Sequence, residues 1–279
     1  MKTRLEKKQV NGITLNVMFA GEDNNGPTIL LVHGFPDDHT VWRYQVPALV
    51  KAGYRIVAHD TRGCGDSELL PNVSDYVMDK LVEDLRDLMD VLEIARVQVV
   101  AHDWGAFQAW HFALRHPARV ERLIALSVGH PTAYARGGLA QKLKAYYIPI
   151  VRSGLMVRLL PLFNWALLRF MTHYPSEFAH WRALLERPGR LAAGLNYYLA
   201  NPEMTANIDH GKVQMPVVGL WSAGDRFLAE RQMRSSGDWC NAGFTFERID
   251  GPNHWMQLDA PERITGLLLR HLKQTQTHT

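Results

Sequence analysis

Residues 99–106 read Val99-Val100-Ala101-His102-Asp103-Trp104-Gly105-Ala106, and Phe107, Trp110, His111 and Leu114 continue beyond them at helical spacing. A buried strand ends near Ala101, the chain turns sharply, and a helix opens. Small residues stand two before position 103 and two and three after it. A strained strand-to-helix turn needs that spacing when it lifts one side chain clear of the sheet. The raised residue is Asp103. No G-x-S-x-G occurs in the chain, so a nucleophile at this turn would be a carboxylate. Asp103 is equally suited to capping the following helix, and the turn alone leaves both readings open.

The same kind of short apolar run recurs on both sides of this turn, at Thr28–Val32, Arg55–Ala58, Val97–Ala101, Leu123–Ser127, Val217–Trp221 and Phe244–Ile249. An Asn11-Gly12 turn joins Lys8–Val10 to alternating Ile13, Leu15 and Val17, which predicts a hairpin ahead of them. Between the runs lie helical patterns such as Met78–Leu92, with Leu81, Leu85, Leu88, Met89 and Leu92 on one face. Strands alternating with helices predict an α/β fold, a mostly parallel sheet with helices on both faces. From about Gly129 to Lys212 the helical patterns continue without a strand. A core of 1–129 and 213–279 is therefore expected, with a helical cap over 130–212 inserted after the sixth strand. Open α/β sheets place their sites at the C-terminal strand ends, where such a cap would close a cleft.

Composition excludes several classes. The 279 residues are 47% hydrophobic and 21% charged with a mean hydropathy of −0.18, far too apolar for a disordered chain. Lys and Arg total 31 against 28 Asp and Glu, a net charge of +3. The basic residues are spread along the chain, so no nucleic-acid partner is expected. Cys64 and Cys240 cannot form a disulfide framework or a zinc motif, a usage that fits a reducing cytoplasm. No apolar leader pattern follows the charged start. In the apolar stretch Gly154–Met171, Arg158, Pro161 and Arg169 argue against a membrane-spanning helix. Asp60-Thr61-Arg62-Gly63-Cys64-Gly65-Asp66-Ser67 lacks the third glycine of a dinucleotide loop, Glu68 standing there, and His102, His111 and His116 lack metal spacing. No cofactor and no metal are expected.

Two further residues fall at strand ends. Asp225 follows Met215–Trp221, and His254 follows Phe244–Ile249 in Asp250-Gly251-Pro252-Asn253-His254-Trp255. Singly, each reads as a turn or loop residue. Together, the order Asp103, Asp225, His254 is nucleophile, acid, base. His33-Gly34-Phe35-Pro36 follows the first buried strand, so the Phe35 and Trp104 backbone N–H groups are candidates for an oxyanion hole.

The segments HGFP (33–36), DTRGCGDS (60–67), AHDWGA (101–106) and GPNHW (251–255) together resemble the α/β-hydrolase-fold epoxide hydrolases over about residues 10–272. Departures are Ala101 where the family usually has glycine, and Thr61 and Cys64 within the second motif. The resemblance implies the α/β-hydrolase fold, hydrolysis of an epoxide to a vicinal diol through an ester on Asp103, and water activated by a His254–Asp225 pair. It also implies two cap tyrosines, each second in an aromatic-Tyr pair. Tyr146-Tyr147 and Tyr197-Tyr198 match those contexts, which assigns the role to Tyr147 and Tyr198 and leaves Tyr146 and Tyr197 as helix packing. Leu199 replaces the arginine usual after the second pair. Phe35 and Trp104 would also touch substrate. The expected partner is a small apolar epoxide, without stable membrane insertion, and an apolar cap could pair two copies of the chain. A haloalkane dehalogenase shares the Asp nucleophile and can use a residue like Trp104 to hold halide, but such enzymes usually resemble HGNP rather than HGFP and do without the tyrosine pair. Fluoroacetate dehalogenases typically have Arg after the nucleophile. A non-catalytic receptor on this fold has no need of an Asp nucleophile facing two phenols.

Overall fold

The computed structural model describes residues 2–273, the side chain of Lys273 excepted, so residues 1 and 274–279 of the expected core segments lie outside the described residues. Eight strands form one sheet: β1 (Thr3–Val10), β2 (Ile13–Ala20), β3 (Thr28–Val32), β4 (Arg55–His59), β5 (Val97–His102), β6 (Val120–Leu126), β7 (Val217–Ser222) and β8 (Phe244–Ile249). Their order is β1-β2-β4-β3-β5-β6-β7-β8. β2 runs antiparallel to both neighbours, and every other pair is parallel.

Strands buried on both faces read as unbroken apolar runs, and side-chain alternation then divides them between two cores. Leu30, Val32, Val99 and Leu123 face the helices Met78–Val91 and Trp104–Arg115. Ile29, Leu31, Val100 and Ile124 face Val46–Lys51 and Pro261–Lys273. Burying each such side chain contributes roughly 1.5–3 kcal/mol. The hairpin is longer than expected, because β1 begins at Thr3 rather than Lys8. Its side chains are mostly exposed, so no apolar period marks this edge strand, and pairing with β2 over its whole length defines it.

Between β6 and β7 the described residues from Pro131 to Thr205 form a succession of helices and turns. Asp60 organises the loop after β4: its carboxylate accepts from His39, Asn16 Nδ2 and the Asp66 N–H. A Cβ on Gly65 would lie 2.3 Å from that carboxylate. The DTRGCGDS segment is thus a turn wrapped on its own aspartate.

Candidate active site

Asp103 sits between β5 and the next helix at φ 52°, ψ −124°. A non-glycine residue in this region costs of order 1–3 kcal/mol and persists only where its surroundings enforce it. They do. A Cβ on Gly105 would lie 2.4 Å from the His33 carbonyl oxygen, and one on Gly34 would lie 2.5 Å from Asp103 Oδ1. The Asp103 side chain makes no cap bond to the helix, which removes the capping alternative. Its Oδ1 instead accepts the Phe35 N–H at 3.0 Å, and the nearby Trp104 N–H helps to lower the carboxyl. The loop that presents Phe35 is anchored by His33, whose Nε2 accepts the Thr61 N–H at 2.9 Å.

His254 and Asp225 converge on the same point from the ends of β8 and β7. His254 Nδ1 lies 2.8 Å from Asp225 Oδ2, and Nε2 lies 3.5 Å from Asp103 Oδ2. Asp225 is fixed by the Phe227 and Leu228 N–H groups, both donating to Oδ1. The His254 carbonyl accepts from His102 Nε2 at 3.0 Å and Ser127 Oγ at 3.3 Å. Burial disfavours the imidazolium of His254, but the charges of Asp225 and Asp103 outweigh it and push the group up to about 10. Burial likewise raises both carboxyls, yet His254 leaves Asp103 and Asp225 below the ordinary aspartate value.

Asp103 and His254 open into a cleft whose other lining residues are apolar apart from Tyr147, Tyr198 and Thr172. Tyr147 and Tyr198 pack edge to face with centroids 5.9 Å apart. Burial, with neighbouring tyrosine or Asp103 charge, holds both phenols well above the ordinary tyrosine range, so each stays a proton donor. Trp104 packs edge-on to Tyr198 at 4.8 Å and lines a smaller cavity beyond the tyrosines that also reaches Asp103. Of the neighbouring pair members, Tyr197 is buried and donates its hydroxyl to the Arg62 carbonyl at 2.7 Å. Tyr146 is exposed rather than packed between helices. No cluster of three or more metal-ligating side chains exists among the described residues.

Residues 27–261 match the family model of the alpha/beta hydrolase fold. The AB hydrolase superfamily protein YfhM of Bacillus subtilis is 30% identical over 94% of this chain and 96% of its own length. Epoxide hydrolase 3 of Xenopus tropicalis is 30% identical over 95% of this chain and 76% of its own. The chain belongs to the α/β-hydrolase epoxide hydrolase family. At the level of fold alone, a Bacillus megaterium epoxide hydrolase solved with an inhibitor superposes at a TM-score of 0.87 with 23% identity, over 96% of this chain and 100% of that one.

Sequence reading missed several parts of this hydrolase's site. Phe227 packs edge-on to His254 at 5.1 Å. Met156, Leu160, Leu168 and Met171 form much of the cleft wall. They lie in the Gly154–Met171 stretch, whose apolarity was visible but whose facing was not. Asp37 was also unmarked: buried, it accepts the indole N–H of Trp181 at 2.8 Å and of Trp255 at 3.0 Å. Burial pushes its carboxyl up to about 7 against the pull of both indoles. The clamp ties a helix of the 131–205 succession to the residue next to His254.

Proposed function

We propose that this hydrolase converts small apolar epoxides and water to vicinal diols, with residues 130–212 acting as the cap of the cleft. The observation that carries the reading is that one carboxylate, Asp103, and two phenols, Tyr147 and Tyr198, line a single apolar cleft. The names of its relatives support the same reaction. An epoxide oxygen leaves poorly until a proton is donated to it, and two phenols supply donors. Asp103 attacks a ring carbon, the C–O bond breaks, and the oxygen takes a tyrosine proton, leaving an ester on Asp103 and a phenolate.

His254, held by Asp225, then takes a proton from water, and the hydroxide adds to the Asp103 ester carbonyl. The oxyanion that forms lies in reach of the Phe35 and Trp104 N–H groups. Collapse expels the diol oxygen, which takes the proton from His254. Esterification removes the Asp103 charge that helps hold His254 protonated, so before the second step the imidazolium passes its proton through solvent to the phenolate and becomes the base. The acid formed at Asp103 gives its proton back to His254, which restores the starting state. A single turnover in ¹⁸O-water tests the reading: the first diol should be unlabelled and Asp103 should carry the label. Label appearing directly in that first diol refutes an ester on Asp103.

A further inference from the structure

The near balance of the whole chain conceals a segregation of charge. Residues 131–176 hold six of the 31 Lys and Arg residues and none of the 28 Asp and Glu, so the segment carries +6 and the rest of the chain −3. The basic residues are spread as evenly here as elsewhere, but over this segment the acidic ones are missing. None of the six, Arg136, Lys142, Lys144, Arg152, Arg158 and Arg169, enters an ion pair among the described residues. The same segment exposes Leu139, Leu143, Leu155, Leu162, Phe163 and Phe170, with Phe163 88% and Leu139 72% exposed. Scattered surface leucines need no explanation. Lys144 and Arg152 turn inward, to the Asp225 carbonyl and to the carbonyls of Tyr198, Asn201 and Pro202. But so many apolar side chains in one short segment, interleaved with the exposed Lys142, Arg158 and Arg169 and with no acidic residue of the segment itself, do need an explanation.

We propose that the outer surface of residues 139–170 is a reversible docking face for an anionic phospholipid bilayer. Exposed leucine and phenylalanine side chains beside lysine and arginine suit the boundary between acyl chains and negatively charged headgroups. No described helix is long and apolar enough to cross a membrane, so the face lies on the surface and does not span it. A second copy of the chain fits poorly, because a two-fold contact presses identical patches together and would set the exposed Lys142, Arg158 and Arg169 against like charges. The inner side of the same helices supplies Val151, Met156, Leu160, Leu168 and Met171 to the cleft. A bilayer on the outer side therefore brings apolar substrate close to the cleft, a consequence that rests on the epoxide reading, whereas the docking itself does not.

Sedimentation with vesicles tests this. Wild-type protein should bind phosphatidylcholine vesicles containing about 30% phosphatidylglycerol at low salt, ignore pure phosphatidylcholine, and be released at about 0.5 M salt. Lys142→Gln and Arg158→Gln should each lower the partition coefficient about fivefold, and Phe163→Ser about tenfold. None of these residues lines the cleft, so all three variants should hydrolyse propylene oxide at the wild-type rate, which also shows that they fold. Wild-type protein left in the supernatant with the anionic vesicles overturns the proposal, as does equal binding to neutral ones. Retention on immobilised polyglutamate without vesicle binding would reassign the face to an acidic macromolecule. A dimer in gel filtration that Phe163→Ser dissolves would reassign it to self-association. Failure of wild type to open any epoxide strikes the proposed reaction and leaves the docking result standing.

Discussion

Replacing His254 with glutamine should separate the two halves of the proposed reaction. The imidazole is bracketed by two carboxylates, 2.8 Å and 3.5 Å from its nitrogens. The rise from an ordinary 6.5 to about 10 corresponds to about 5 kcal/mol favouring the imidazolium, at about 1.4 kcal/mol for each tenfold. In the free protein at neutral pH the ring is therefore a cation beside Asp103, and in the proposed reaction it becomes a base only after Asp103 is esterified. A glutamine amide in its place can neither take a proton from water nor return one to the departing diol. A positioned general base contributes about 10²–10⁴ in rate, so ester hydrolysis should slow by that order. Attack by Asp103 needs no base and should continue. Mixed with excess epoxide, the His254→Gln variant should gain the mass of one substrate molecule per chain within a wild-type turnover time, on the peptide bearing Asp103. The adduct should then decay about 10²–10⁴ times more slowly than the wild-type intermediate. Intact-protein and peptide mass spectrometry read both quantities. Turnover at the wild-type rate would refute the reasoning, and so would consumption of epoxide with no adduct at any time.

Three other perturbations address the remaining parts of the site. Tyr147→Phe or Tyr198→Phe alone should slow alkylation while leaving the second donor. The double variant should lose at least about 10²–10³, and a folded double variant at the wild-type rate contradicts the donor assignment, as would wild-type release of halide from haloalkanes faster than diol from any epoxide. In pre-steady-state measurements, decay of the wild-type ester should rise with pH and level off above the His254 value in the ester. That value lies below the free protein's about 10, because the Asp103 charge is gone. Asp225→Asn should move this rise to still lower pH and reduce the plateau, and an unmoved profile shows that Asp225 does not act on His254. In Gly34→Ala the new methyl would stand 2.5 Å from Asp103 Cβ and Oδ1. Contact distance then displaces the carboxylate by about 1 Å, a misplacement worth about 10²-fold in activity, checked by steady-state rates alongside thermal melting.

Much of the arrangement was legible in local pattern. The six apolar runs after the first hairpin correspond to β3–β8, with ends shifted by no more than three residues. Strand ends blur because burial does not stop where hydrogen bonding does: β6 starts at Val120, ahead of the Leu123 that opens the apolar run, and includes the polar Glu121 and Arg122. The turn at Asp103 was readable because small residues are required at fixed offsets from a strained position. Tyr146 shows the weakness of such reading. Its place in a pair marked it for packing, yet it points outward, since a pair motif says nothing about which neighbour faces the core.

By itself, the sequence determined the alternation of strands and helices, the turn that lifts Asp103, and the chain order of Asp103, Asp225 and His254. Those are local properties: apolar period, steric room and spacing along the chain. Tertiary structure decided which strands are neighbours, and so the meeting of β5, β7 and β8 at one point, where His254 Nε2 comes within 3.5 Å of Asp103. It also decided that Asp37, 218 residues from Trp255 along the chain, accepts that indole. The division of Gly154–Met171 into a cleft wall and an exposed outer face was likewise a matter of packing. Contacts of this kind depend on which surfaces are left over once the sheet has closed its two cores, and no local pattern records that.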